Sequence, residues 1–155
     1  MSFSLDLQNG DLVLSGTAFG TVTDAAKLQQ DLICAILTPL GFDELHPTYG
    51  SILEENLINP EIPGIFGETD FRHAATIIHA ELVRICQNYQ GQQIARNEAD
   101  ASQFGKYTLT PGEILLKVNG INFVQAEDHL ICTLKLEIGN DSLELRIPMP
   151  QVQSA

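Results

Sequence analysis

Leu130-Ile131-Cys132-Thr133-Leu134-Lys135-Leu136-Glu137-Ile138, then Gly139-Asn140-Asp141, then Ser142-Leu143-Glu144-Leu145-Arg146-Ile147, is the stretch that decides the fold. Leu130, Cys132, Leu134, Leu136 and Ile138 alternate with Ile131, Thr133, Lys135 and Glu137, and a second alternation through Leu143, Leu145 and Ile147 follows a turn-forming tripeptide. Period-two patterning of this length specifies a two-stranded antiparallel ribbon. Pro148 and Pro150 are expected to end it, because proline has no N–H for a ladder. Upstream, Pro111-Gly112 marks a turn, and Ile114 to Val118 and Ile121 to Gln125 flank Asn119-Gly120, which is either a tight hairpin or a bulge in one strand.

Before this β-rich end the period changes. Phe71, Ala75, Ile78, Leu82, Ile85 and Tyr89 recur at spacings of four and three, so a helix should begin at Thr69 or Asp70, with this seam packed on the domain's own sheet. Gln90 to Lys106 is polar and aperiodic, and reads as an exposed loop or insertion. An earlier helix is marked by Ala25, Leu28, Leu32, Ala35 and Ile36, with Thr23 or Asp24 as its cap. It should stop near Thr38-Pro39, since a residue before proline avoids the α region. The chain opens with Phe3, Leu5 and Leu7 alternating with polar residues, then Asn9-Gly10 and Asp11-Leu12-Val13-Leu14, a β-hairpin signal. Gly16 and Gly20 are expected to loosen the connection that follows. The expected fold is α+β: an N-terminal β-hairpin, two main helices and a C-terminal antiparallel sheet, in a single domain over 1–155 with the polar insertion at about 90–106.

Leu40 to Glu68 has no period and is broken by prolines and glycines, yet it carries Leu45, Leu53, Leu57, Ile62, Ile65 and Phe66. A long apolar loop of this kind is expected to pack against something, and these six residues form the expected partner surface.

The chain has 155 residues and a formal charge of −12, with 44% hydrophobic and 18% charged residues. That is too apolar for a disordered acidic tail and of the wrong sign for nucleic acid, anionic membranes or anionic cell-wall polymer. No export signal is legible at Met1 to Asp6, and the apolar run Leu32 to Leu37 is too short to span a bilayer, so a soluble protein made in the cytosol is expected. Cys34, Cys86 and Cys132 lie apart among aliphatic residues and read as reduced core residues. His46, His73, His79 and His129 make no metal motif: His73 and His79, six apart, cannot share a helix face. No cofactor is implied.

Glu61, Asp70 and Thr76 reproduce the spacing of the acid, second carboxylate and threonine of phage-type lysozymes, whose chemistry needs two carboxyl groups across a sugar cleft. Their context argues against catalysis. Glu61 stands between two prolines, Thr76 falls inside a helix, there is no Trp to stack on sugar, and the charge repels an anionic polymer.

The run Leu28 to Leu32, then Leu37-Thr38-Pro39-Leu40-Gly41, then His46-Pro47-Thr48-Tyr49-Gly50-Ser51, resembles the baseplate wedge and sheath-initiator family of contractile-tailed phages, which includes a type VI secretion baseplate component. The motif positions are Thr38, Gly41, Pro47, Tyr49, Gly50 and Ser51; the opening Leu5-Asp6-Leu7 and Gly10-Asp11-Leu12 is also similar to the first hairpin of phage members. The chain departs from the family at Gly41-Phe42-Asp43-Glu44, where many members have Gly-Glu-Arg, and at Asn88 to Gly91, where many have Glu-Pro-Arg. The resemblance implies a non-enzymatic structural protein of the virion tail baseplate, assembled in the host cytoplasm and present in several symmetry-related copies. Its implied partners are other wedge proteins, tail sheath subunits and the tail tube or hub, with no nucleic acid and no membrane. A sheath initiator would offer a strand edge, from the N-terminal hairpin or the C-terminal ribbon, to the first sheath ring. A different baseplate or tail-hub adaptor, a free acidic adaptor, and a lysozyme-like murein hydrolase are the alternatives.

Overall fold

In a computed structural model, which describes residues 3–8, 11–53, 71–125 and 129–150, the element order is β1 (Ser4–Leu5), β2 (Leu7–Gln8), β3 (Asp11–Leu12), β4 (Leu14–Ser15), β5 (Ala18–Phe19), β6 (Thr21–Val22), α1 (Asp24–Leu37), α2 (Phe71–Phe104), a 3₁₀ turn (Pro111–Glu113), β7 (Leu115–Gln125), β8 (His129–Ile138) and β9 (Ser142–Pro150). This is the expected α+β order: an N-terminal region of paired strands, two helices and a three-stranded antiparallel sheet ordered β7-β8-β9. The ribbon read from Leu130 to Ile147 is β8 and β9, with Leu134 opposite Leu145 and Glu137 opposite Ser142. Its alternation puts Cys132, Leu134, Leu136, Ile138, Leu145 and Ile147 on the buried face.

Three elements differ from expectation. The polar stretch after Tyr89 is not a loop: α2 runs unbroken through it to Phe104. Gln, Ala, Arg and Glu propagate a helix well, and only Gly91 interrupts them, so propensity carries the helix where no apolar period exists. Pro148 lies inside β9, opposite Ile131, and the strand ends at Pro150, opposite His129. Two residues apart, they lose their N–H groups on one side of the strand, and β9 has no second strand neighbour among the described residues. Of the two readings left open at Asn119-Gly120, the bulged strand holds: β7 is one strand with register shifts between Leu115 and Lys117 and between Val118 and Gly120. Finally, Gly16 and Gly20 build structure rather than loosening it.

The N-terminal region is three ladders, each of two residue pairs. β2 with β3 is the expected hairpin, β4 with β5 closes a second around Gly16 (φ +68°), and β1 with β6 joins the ends. Asp6, Val13 and Gly20, seven apart, meet at the centre. Asp6 N–H donates to Gly20 O (2.8 Å), Gly20 N–H to Val13 O (2.7 Å), and Val13 N–H to Asp6 O (3.0 Å). A Cβ on Gly20 would stand 3.2 Å from Asp6 Cβ.

α1 stops where expected: Thr38, before Pro39, is extended (φ −88°, ψ 131°). At its other end Thr23 makes no side-chain cap. Asp24 instead takes φ +52° and accepts a hydrogen bond from the Thr110 hydroxyl, 86 residues away. Leu28, Leu32 and Ile36 of α1, Ile78, Leu82, Ile85 and Cys86 of α2, and the buried sheet face form one core. The apolar seam of α2 therefore packs within the chain, as expected. Lys27, a charged residue on the buried stripe of α1, is accommodated by an ion pair with Asp31, which also accepts from Tyr89 OH (3.0 Å). Burial raises the Cys86 thiol to about 11 and the Cys132 thiol to about 12. No described helix is long and apolar enough to cross a membrane.

Candidate functional site

The motif residues, drawn from two stretches of chain, meet in one clasp at the C-terminal end of α1. Thr38 Oγ1 and N–H both donate to Cys34 O (2.7 and 3.0 Å), closing the last turn. Ser51 N–H donates to Thr38 O (2.8 Å) and Leu40 N–H to Ser51 O (3.0 Å), forming a parallel bridge between Pro39 and Ser51. Ser51 Oγ, fully buried, donates to Ile36 O (2.5 Å) and accepts from Leu53 N–H (3.1 Å). Gly41 N–H reaches Tyr49 O at 3.3 Å.

Only glycine fits at position 50. Its φ is +99°, and a Cβ would stand 2.6 Å from Pro39 O and 2.7 Å from Thr38 O.

α2 grips the clasp from the other side with three residues that the sequence reading passed over. Glu81 Oε1 accepts Ile52 N–H (3.0 Å). Arg84 donates to Gly50 O (2.7 Å) and Thr48 O (3.2 Å), and Asn88 Nδ2 also donates to Thr48 O (3.2 Å). Arg84 and Glu81 pair doubly, at 2.6 and 2.9 Å. Burial pushes the Glu81 carboxyl up, but the Arg84 guanidinium and the Ile52 N–H outweigh it and hold it below its ordinary value. The available signal was spacing: 81, 84 and 88 form a polar i, i+3, i+7 stripe beside the apolar seam of the helix.

With its polar groups spent internally, the clasp presents apolar side chains. Asp43 closes the tip: its Oδ1 accepts Leu45 N–H (2.9 Å) and its Oδ2 lies 2.7 Å from His46 Nδ1. The bond to His46, then that from Leu45, hold the Asp43 carboxyl below its ordinary value. Pro47 stays exposed on the same tip. Phe42 is 76% exposed and Leu45 85%, and Leu40 is also exposed beside them.

Of the six expected partner-surface residues, Leu45 is exposed and Leu53 is corrected. Leu53 is 0% exposed, packed among Leu28, Leu32 and Ile78 in the chain's own core, because the Ser51 hydroxyl turns its backbone inward. Leu57, Ile62, Ile65 and Phe66 lie outside the described residues, as do Glu61 and Asp70. Thr76 is an exposed residue of α2. Among the described residues no three His, Cys, Asp or Glu side chains cluster as metal ligands.

The two outer strands of the sheet differ. At the start of β7, Gln93 Nε2 donates to Glu113 O (2.5 Å) while its Oε1 accepts Leu115 N–H (3.0 Å), and Gln90 Nε2 donates to Leu116 O (2.7 Å). Side chains of α2 thus occupy backbone groups of the first two residues of β7. Along β9 the outer edge carries exposed Ser142, Glu144 and Arg146 and pairs with no strand among the described residues.

Neither a family model nor a curated protein matches the chain.

Proposed function

We propose that this protein is a non-enzymatic structural subunit of a contractile phage tail baseplate, a wedge component that initiates the sheath. The observation that carries the reading is the convergence of Thr38 and Gly41 with Tyr49, Gly50 and Ser51 into one clasp, so that the residues of the resemblance act as one unit. That unit holds Phe42 and Leu45 outward on a braced tip, which suits docking on a neighbouring wedge subunit. In this reading the C-terminal sheet receives a strand of the first sheath ring at an outer edge, along β9 before Pro148 or along β7 beyond Leu116, since each of these strands pairs only with β8 among the described residues.

The test is assembly. Co-expressed with the other tail genes, the chain should co-purify with baseplates, and Phe42→Asp with Leu45→Asp should abolish incorporation while leaving the circular dichroism spectrum unchanged. A chain that stays monomeric beside complete baseplates lacking it refutes the reading. Neither the chain nor its Glu61→Gln variant should clear a cell-wall suspension.

A further inference from the structure

α1 has a second face. Opposite its buried stripe, Ala26, Gln29, Ile33 and Leu37 follow one another at helical spacing, and with Cys34 at the border and Leu7 as a wall they line an open groove of about 610 Å³. Leu37 is 52% exposed, and Leu12, the ladder partner of Leu7, is exposed as well. Three observations say what fits there.

The first is charge. Among the described residues before Phe71, six carboxylates (Asp6, Asp11, Asp24, Asp31, Asp43 and Glu44) stand against one cation, a formal −5. The single cation, Lys27, is buried and bound to Asp31, while Asp11, next to Leu12 across the ladder from Leu7, is exposed. An occupant must therefore supply positive charge. The second is backbone pairing. A strand adds to an edge through unpaired N–H and C=O groups, but here Gln30 has taken both: its Oε1 accepts Leu7 N–H (3.0 Å) and its Nε2 donates to Leu5 O (2.8 Å). An occupant must bring its own backbone satisfied, which a helix does. The third is shape, since the lining follows α1 for most of its 14 residues, about 21 Å, in a straight stripe.

We propose that this groove docks a partner's amphipathic helix, apolar on its contact stripe and flanked by Lys or Arg. The site stands apart from the clasp tip and from β9, and it does not depend on the tail reading.

Cys34 is the built-in reporter, half-buried in the groove wall, whereas Cys86 and Cys132 are buried. The full chain is treated with a maleimide, and the modified cysteine is located by mass spectrometry. Two 14-residue peptides of equal Leu and Lys content serve as probes, one with Leu at helical spacing and one strictly alternating. The helical peptide should slow Cys34 modification about tenfold at saturation and bind less tightly as salt rises. Ala26→Lys with Leu37→Lys should weaken its binding about tenfold or more, with Gln29→Lys as the second variant if the pair unfolds, while Val124→Lys on β7 leaves it unchanged. Equal or better protection by the alternating peptide overturns the proposal. So does undiminished binding by the groove variants, or a chain that dimerises and shields Cys34 with no peptide present.

Discussion

The same device occurs twice, once out of water and once in it. Gln93 of α2 bridges Glu113 O and Leu115 N–H, and Gln30 of α1 bridges Leu5 O and Leu7 N–H; in each case one carboxamide stands in for a neighbouring strand. Gln93 is 8% exposed and joins α2 to the sheet inside the core. Gln30 holds the N-terminal ladders on the surface of α1, and its bonds are exposed. The geometry matches, but the energetics do not. A buried polar group left without its partner loses its full solvation, whereas an exposed one turns to water. The inner joint should therefore be rigid and costly to disturb, and the N-terminal cluster easily detached.

Paired substitutions break or sharpen this contrast. Gly50→Ala in the clasp should cost more than about 3 kcal/mol, because its Cβ meets two carbonyl oxygens and its φ is positive. Gly16→Ala in the N-terminal turn, with positive φ but nothing within 4 Å, should cost only about 1 kcal/mol; equal urea midpoints for the two would erase the distinction. Gln93→Ala should lower global stability by about 2–3 kcal/mol by orphaning the Leu115 N–H and Glu113 O. Gln30→Ala should cost about 0.5 kcal/mol and mainly speed amide exchange at Leu7. A Gln30 variant as unstable as the Gln93 variant would mean that the N-terminal ladders belong to the cooperative core.

Glu81 gives the same contrast a pH axis. Its folded carboxyl is held below the unfolded value of about 4.3, so its contribution is complete above that range and disappears as pH falls through the folded value. Glu81→Gln should be less stable than the parent by about 1–2 kcal/mol at pH 7, and the gap should close toward pH 3. Thermal midpoints measured across that range decide it. A gap that widens in acid would reverse the sign.

The elements that were legible before the structure are those whose side chains repeat with one period. Leu134 and Leu145 declared the ribbon, Leu28 and Leu32 the first helix, and Thr38-Pro39 its end. What escaped was carried by backbone or by single polar side chains. The end of α2 has no apolar face to announce it, since past Gln93 it is sustained by propensity, by the Arg96–Asp100 pair one turn apart and by the bond from Thr108 to Asp100. The Asp6, Val13 and Gly20 triad is made only of main-chain bonds, and side-chain patterning does not encode these. Within the site, Thr38, Gly50 and Ser51 were named before their contacts were known, but the Glu81, Arg84 and Asn88 grip that unites them spans some thirty to forty residues of chain. Leu53 looked like a surface residue because aperiodic sequence hides which way a side chain turns.

The hydrogen bond from Thr110 to Asp24 has a consequence in chain entropy. No pair in the N-terminal ladders or the β8–β9 ribbon is more than 21 residues apart, but this bond joins positions 86 apart, across both helices. Loop closure grows only slowly with length, by about 0.6 kcal/mol per doubling, yet it must be met before any contact across the loop repays it. Helices formed in between shorten the path, so the two ends meet cheaply only after α1 and α2 have folded. Asp24, in its left-handed conformation against Gly112, is then expected to close late, as are the contacts of α1 with β9.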